Sequence, residues 1–264
     1  MTVFYFTATG NSLAVAKAVV KGIGGNLVSI PQAVDSESLH YKDDAIGVVF
    51  PIYGWTTPKM VRRFLEKAKL EADYVFAIGT YGNMPGAAMM NLQKLALKNG
   101  YRFDYANHLL MLDNFLPLFE MGAQAKKLPA KKVEENTAKI VSDINGRKRR
   151  RAKASPVMRA ITAMVSAMMK SPEKKAQDYI VTSQCNKCGV CAKVCPVKNI
   201  AVTDKVCFGA SCEWCMACLH LCPQSALHAK GEKSGKRWLH PEVSLSEIIA
   251  ANNLEGSASR GISM

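Results

Sequence analysis

The sequence predicts an α/β chain in two parts, a doubly wound parallel sheet followed by a small, cysteine-rich α+β domain. Three observations carry this. Over the first half, β-rich apolar runs alternate with stretches of helical spacing. Residues 1–146 contain no cysteine, whereas all nine cysteines fall between positions 185 and 222, eight of them in one register. Those eight repeat one pattern twice, which marks an internal duplication. At 264 residues and 48% hydrophobic content, the chain is long enough for one or two domains with ordinary buried cores.

Residues 2–6 (TVFYF) predict the first strand. The turn Thr7-Ala8-Thr9-Gly10-Asn11-Ser12 follows, and Leu13, Ala16, Val20 and Ile23 then share one helical face. A glycine-containing polar turn between a strand and a helix N-terminus suits an anion, because its N–H groups converge and the helix dipole favours negative charge. It matches neither a Walker loop nor the G-x-G-x-x-G fingerprint. Residues 26–30 predict a second strand, and only 31–43 join it to the next, too few for a full crossover helix. Residues 44–50 form a buried-strand pattern ending in Pro51-Ile52-Tyr53-Gly54-Trp55, with a helix over 59–68. Residues 74–80 repeat that arrangement, ending in Thr80-Tyr81-Gly82-Asn83 before a helix over 87–99. Both loops leave the C-terminal ends of strands, where open parallel sheets bind ligands. Residues 103–112 supply a fifth strand, 114–127 a loop beside the site, and 130–145 a closing helix.

Composition then shifts to the basic run 147–153 (RKRRRAK). The expected division is a first domain over 1–146, a basic linker with a Met-rich helix over 147–178, a cysteine domain over 179–229 and a tail over 230–264. In the linker, Val157, Met158, Ile161, Met164, Val165, Met168 and Met169 form an apolar stripe opposite Thr162, Ser166 and Lys170. Such a stripe is expected to pack inward and clamp the two domains, a membrane-surface helix being the alternative. The basic run is read as a solvated linker that favours acidic partners or an anionic membrane surface. No recognition helix or zinc knuckle accompanies it, so specific nucleic-acid binding is not expected. No apolar run reaches the length of a membrane span and no signal peptide is evident, which points to the cytoplasm.

The cysteines are Cys185, Cys188, Cys191 and Cys195-Pro196, then Cys212, Cys215, Cys218 and Cys222-Pro223, each 27 residues after its counterpart (212 minus 185). The spacing C-x2-C-x2-C-x3-C-P resembles that of bacterial two-cluster ferredoxins, in which the fourth cysteine of each run ligates the other run's cluster. The resemblance implies one 4Fe-4S cluster on Cys185, Cys188, Cys191 and Cys222, and a second on Cys212, Cys215, Cys218 and Cys195. Structural zinc favours two separated C-x2-C knuckles, and disulfides belong to oxidising compartments, so both are weaker readings. Cys207 lies outside the repeat and is expected to be a small buried residue. His220, His228 and His240 lack metal spacing and are read as structural.

The turn at 7–12 also resembles the T-x-T-G-N-[ST] turn of flavodoxins. That resemblance implies a flavodoxin-like sheet of order 2-1-3-4-5, with FMN phosphate in the turn and the flavin ring between Tyr53 or Trp55 and Tyr81. Pro51, Gly54, Thr80, Gly82 and Asn83 would line its edges. As a whole the chain resembles fused flavodoxin and two-cluster ferredoxin proteins of anaerobes, which implies electron transfer between FMN and two 4Fe-4S clusters. An NAD(P)H-dependent flavin and iron-sulfur oxidoreductase is the alternative. The formal charge of +14 falls to about +8 with such cofactors bound. That leaves a basic protein suited to acidic redox partners such as a ferredoxin, a flavodoxin or an oxidoreductase.

Overall fold

The computed structural model describes residues 1–168 and 176–252. Met169, Lys170 and the end of the tail beyond 252 lie outside these described residues.

The chain opens with β1 (Thr2–Tyr5), α1 (Asn11–Ile23), β2 (Asn26–Ser29) and a single-turn helix α2 (Ile30–Ala33), the reduced connection expected there. A short strand β3 (His40–Lys42) precedes β4 (Ala45–Pro51) and α3 (Lys59–Lys67), and β5 (Lys69–Glu71) pairs with β3. Then come β6 (Tyr74–Tyr81), α4 (Ala88–Lys98) and β7 (Tyr105–Leu110). The segment 114–127, expected as a loop, ends in a helix α5 (Met121–Lys127), whose N-terminus Glu120 caps by accepting from the N–H groups of Gly122 and Ala123. The closing helix is α6 (Val133–Asn145).

The main sheet is parallel, with order β2-β1-β4-β6-β7. Counting its strands alone, that is 2-1-3-4-5, the flavodoxin-like order. Both faces are covered, which explains the near-continuous apolar runs of β4 and β6. Leu13, Ala16 and Val19 of α1 pack with Ile140 and Ile144 of α6 on one face. Phe64 and Leu65 of α3 pack with Leu92 and Ala96 of α4 on the other.

The basic run departs from the solvated linker expected. It lies along the open edge of β7, where Arg150 N–H donates to Asp104 O at 2.9 Å and its carbonyl accepts from Ala106 N–H at 2.8 Å. Its charges meet acids that are distant in sequence: Arg147 with Asp44, Lys148 with Asp143 at 2.6 Å, and Arg149 with Asp104 at 3.7 Å. A bare strand edge has unpaired backbone groups, and this segment satisfies them.

The helix α7 (Pro156–Met168) follows. Its rotation differs from the one expected, leaving Met158, Ile161 and Val165 of the stripe half-buried. Thr162, on the polar side, is buried, while Val157 and Met164 of the apolar stripe are 68% and 59% exposed. The reason is local: Thr162 Oγ1 accepts from Ala87 N–H at 2.9 Å, in a spot narrowed by Gly86.

The cysteine domain comprises β8 (Tyr179–Val181), α8 (Val190–Lys193), β9 (Ile200–Val202), β10 (Val206–Phe208), α9 (Ala217–His220) and β11 (Leu227–Ala229). Two antiparallel pairs, β9 with β10 and β8 with β11, frame it. The tail helix α10 (Leu245–Asn252) returns to the first domain, and Asn252 Nδ2 donates to Val194 O at 2.9 Å. One apolar cluster includes Ala16 and Val19 of α1 together with Val194, Ala217 and Leu221 beside the cysteines. The two parts therefore share a core.

Candidate functional site

The duplication seen in the cysteines is repeated in the backbone. Lys187 and Trp214, Gly189 and Met216, and Lys198 and Ser225 all have positive φ. The members of each pair stand 27 positions apart (214 minus 187). Non-glycine residues seldom take this conformation, so its recurrence marks loops bent to one purpose. Asn199 N–H donates to Cys195 Sγ at 3.2 Å, and the equivalent Ala226 N–H donates to Cys222 Sγ at 3.3 Å.

The thiols gather in two groups, each crossing between the runs. Cys185, Cys188, Cys191 and Cys222 surround one hollow, closed by Gly189, Val202, Val206 and Leu227. Cys195, Cys212, Cys215 and Cys218 surround the other, with Tyr179, Ile200 and Phe208. Burial pushes the thiols of Cys191 and Cys212 up to about 11, and those of Cys215 and Cys218 well above their ordinary value. Thiolates in such surroundings call for a positively charged core and N–H donors. Among the described residues, no group of three or more His, Cys, Asp or Glu is placed to hold a single metal ion. A four-iron cubane sets its thiolates farther apart than one ion does, and the donor set fits it. Cys207 is exposed on β10 rather than buried, because its strand pairs on one side only.

A third cavity, of about 570 Å3, opens at the C-terminal edge of the main sheet. Thr7, Ala8, Thr9, Asn11 and Ser12 line it from the first turn, as do Pro51, Tyr53, Gly54 and Trp55 from the second loop and Thr80, Tyr81, Gly82 and Asn83 from the third. Gly10 is the expected residue that does not line it. Its φ of 95° forms the turn, and it sits against the tail, where an added Cβ would be 2.9 Å from that of His240.

Tyr53 and Thr56 exchange both backbone hydrogen bonds, at 3.0 and 2.9 Å, around Gly54 and Trp55, whose φ values are 51° and 65°. This is the backbone of a type I′ turn, unusual for a tryptophan at its second corner. Gly86 makes room for that ring, since a Cβ there would be 2.6 Å from Trp55 Cβ. In the third loop Gly82 lies so close to Asp113 that a side chain would meet its Cα at 2.3 Å.

The segment after β7, expected beside the site over 114–127, lines it with Asn114, Phe115, Leu118 and Phe119, joined by Leu112 and Asp113. Sequence reasoning missed Glu213, Trp214 and Met216 of the second cysteine run and the wall role of Cys215. Nothing local marks these four, because they reach the cavity through folding of the two domains together. Glu213 accepts from Lys59 N–H at 3.0 Å and Met60 N–H at 2.6 Å, and so caps α3 from another domain. Burial raises its carboxyl above the usual range, partly offset by those two N–H groups. Burial likewise pushes the Tyr53 phenol up, with Cys215 and Glu213 adding to the effect.

The polar network around the first turn runs through the tail. Asn11 donates to Leu112 O at 3.2 Å and accepts from Trp238 Nε1 at 3.0 Å, while Asn114 donates to Thr9 Oγ1. His240 N–H donates to Thr9 O at 2.9 Å. His220 accepts from Trp238 N–H through Nδ1 at 3.0 Å, so its proton is on Nε2, which donates to Asn114 O at 2.7 Å. Burial pulls its imidazole down to about 4, which keeps it neutral in this relay.

Residues 178–201 match the 4Fe-4S binding domain family. Among curated proteins none matches the chain. Solved structures show slight likeness. A protein described as a flavoprotein from Bacteroides uniformis is 20% identical, covering 41% of this chain and 89% of its own, with a TM-score of 0.34. Two-electron reduced Megasphaera elsdenii flavodoxin is 20% identical over 40% of this chain and 83% of its own, with a TM-score of 0.31. The Trp repressor binding protein of Bacillus subtilis is 11% identical over 57% and 99%, with a TM-score of 0.34. Likenesses this slight add nothing to the strand order read from the sheet itself. A parallel sheet of flavodoxin-like strand order thus shares a core with a domain that carries a 4Fe-4S binding segment.

Proposed function

We propose that the chain passes electrons between FMN, bound in the large cavity, and two 4Fe-4S clusters held in the two cysteine hollows. The observation that carries this reading is one thiol: Cys215 lines both the large cavity and the second hollow. Electron transfer needs no moving parts, only short separations through packed matter, and a shared wall supplies them.

FMN supplies exchange between two-electron and one-electron chemistry, and each 4Fe-4S cluster carries one electron. The protein's part is positional. Thr7, Thr9 and Ser12 offer hydroxyls at the N-terminus of α1, where a phosphate is stabilised without a lysine or arginine in the turn. Tyr53, Trp55 and Tyr81 offer aromatic faces to a flat ring. Ser12 Oγ and Thr80 Oγ1 share a hydrogen bond of 2.8 Å that ties the first turn to the third loop. Glu213 and the shared core hold the second hollow against the cavity. Cys188 is exposed, so the first hollow is the exit toward one-electron partners.

Anaerobic reconstitution followed by iron, sulfide and flavin analysis tests the cofactor set. About eight irons and one FMN per chain are expected; zinc, four irons or FAD would sink it. Stopped-flow mixing with NADH and NADPH tests the direction of use. Slow flavin bleaching with rapid reduction by a reduced ferredoxin supports a transfer protein, whereas fast bleaching by either nucleotide makes it an NAD(P)H oxidoreductase.

A further inference from the structure

The helix α7 leaves one apolar face uncovered. Val157, Ala160, Met164 and Ala167 fall at helical spacing on one face, and all four are exposed. Its hydroxyl-bearing face turns inward: Thr162 is 1% exposed and bonded to Ala87, and Ser166 lines the large cavity. The inward contacts fix the rotation of the helix, so the apolar stripe cannot roll under to find cover. A soluble helix ordinarily does the opposite.

Cations stand at the start of this helix. Arg151 and Lys153 immediately precede α7, and both are exposed. Other members of the basic run are matched by Asp44, Asp143 and Asp104. We propose that α7, with Arg151 and Lys153, docks this protein on an anionic lipid surface. Val157 and Met164 enter the headgroup and acyl boundary, and the two cations meet lipid phosphates.

Two properties favour lipid over a second copy of the chain. One helical face of four small-to-medium residues falls short of the roughly 800 Å2 per partner that a stable interface buries. A cation-flanked stripe would also bring like charges together in a two-fold dimer, whereas an anionic bilayer neutralises them. Four such residues alone insert weakly, so stable attachment needs both signals, apolar insertion and basic charge. Because Ser166 lines the flavin cavity from the inner face of the same helix, docking would hold that cavity close to the membrane surface.

The test is anaerobic co-sedimentation of the cofactor-loaded protein with vesicles of phosphatidylcholine, with and without phosphatidylglycerol. Sedimentation is expected with the anionic vesicles only, and to fall as salt rises. The double substitution Val157→Glu and Met164→Glu should abolish it. Arg151→Glu with Lys153→Glu should weaken it by about tenfold or more. Unchanged flavin and cluster absorbance in each variant shows that the fold is retained. No binding to anionic vesicles at low salt, or binding unaffected by the double substitution, would overturn the proposal. So would a concentration-dependent dimer, seen by sedimentation velocity, that the same substitution dissociates in a protein indifferent to vesicles.

Discussion

Glu213 and Met60 are 153 residues apart, yet the carboxylate of one accepts the backbone N–H of the other at 2.6 Å. A side chain from within the second cysteine run thus closes the N-terminus of a helix in the sheet domain. Helix N-termini leave several N–H groups unpaired, and a carboxylate there also meets the favourable end of the helix dipole.

Replacing Glu213 by Ala removes that cap. A stability loss of about 1–2 kcal/mol is expected in denaturant unfolding. Flavin-to-cluster electron transfer, followed after flash reduction, should slow as well. Full iron content with an unchanged transfer rate would show that the cap does not set the spacing.

Gly82→Ala places a methyl group against the Asp113 backbone, where no side chain can step aside. Overpacking of this kind costs about 1–3 kcal/mol. FMN affinity should drop while the cluster absorbance persists, as read by fluorescence titration with FMN and by visible spectra.

His240 titrates against the fold. Burial lowers its imidazole below its ordinary 6.5, with Glu242 pulling weakly the other way. Above 6.5 the folded and unfolded chains are both neutral there and the contribution is complete. As pH falls below 6.5 the unfolded chain takes up a proton first, so stability declines until the folded value is reached. Denaturant unfolding between about pH 7.5 and 5.5 should show this slope, and His240→Gln should flatten it.

Cys207→Ser should leave iron content and cluster spectra unchanged, since the thiol is exposed and lines neither hollow. Loss of a cluster in that variant would reassign the ligands.

The strand, turn and helix units of the first domain are legible because each is written locally, in runs such as AIGVVF and in turns such as TATGNS. The cysteine repeat is legible for the same reason. Glu213 was hidden, because its meaning lies in Met60. The basic run was half legible: its charge is plain in the sequence, but Asp44, Asp104 and Asp143, which absorb much of it, are scattered. For α7 the period revealed a stripe without saying which side faces inward. One hydroxyl, Thr162, decides that against four apolar neighbours, since the Ala87 N–H needs an acceptor and α7 supplies it.

The contact of Trp238 with Asn11 spans 227 residues, and His240 pins the backbone of the same turn. A ribosome that has released the whole sheet domain has therefore not yet finished the turn. Its last struts arrive only after the cysteine domain has emerged and the tail has crossed back. A chain arrested before residue 238 would leave Asn11 without the Trp238 indole and the Thr9 carbonyl without the His240 N–H, so the tail is what completes the first turn.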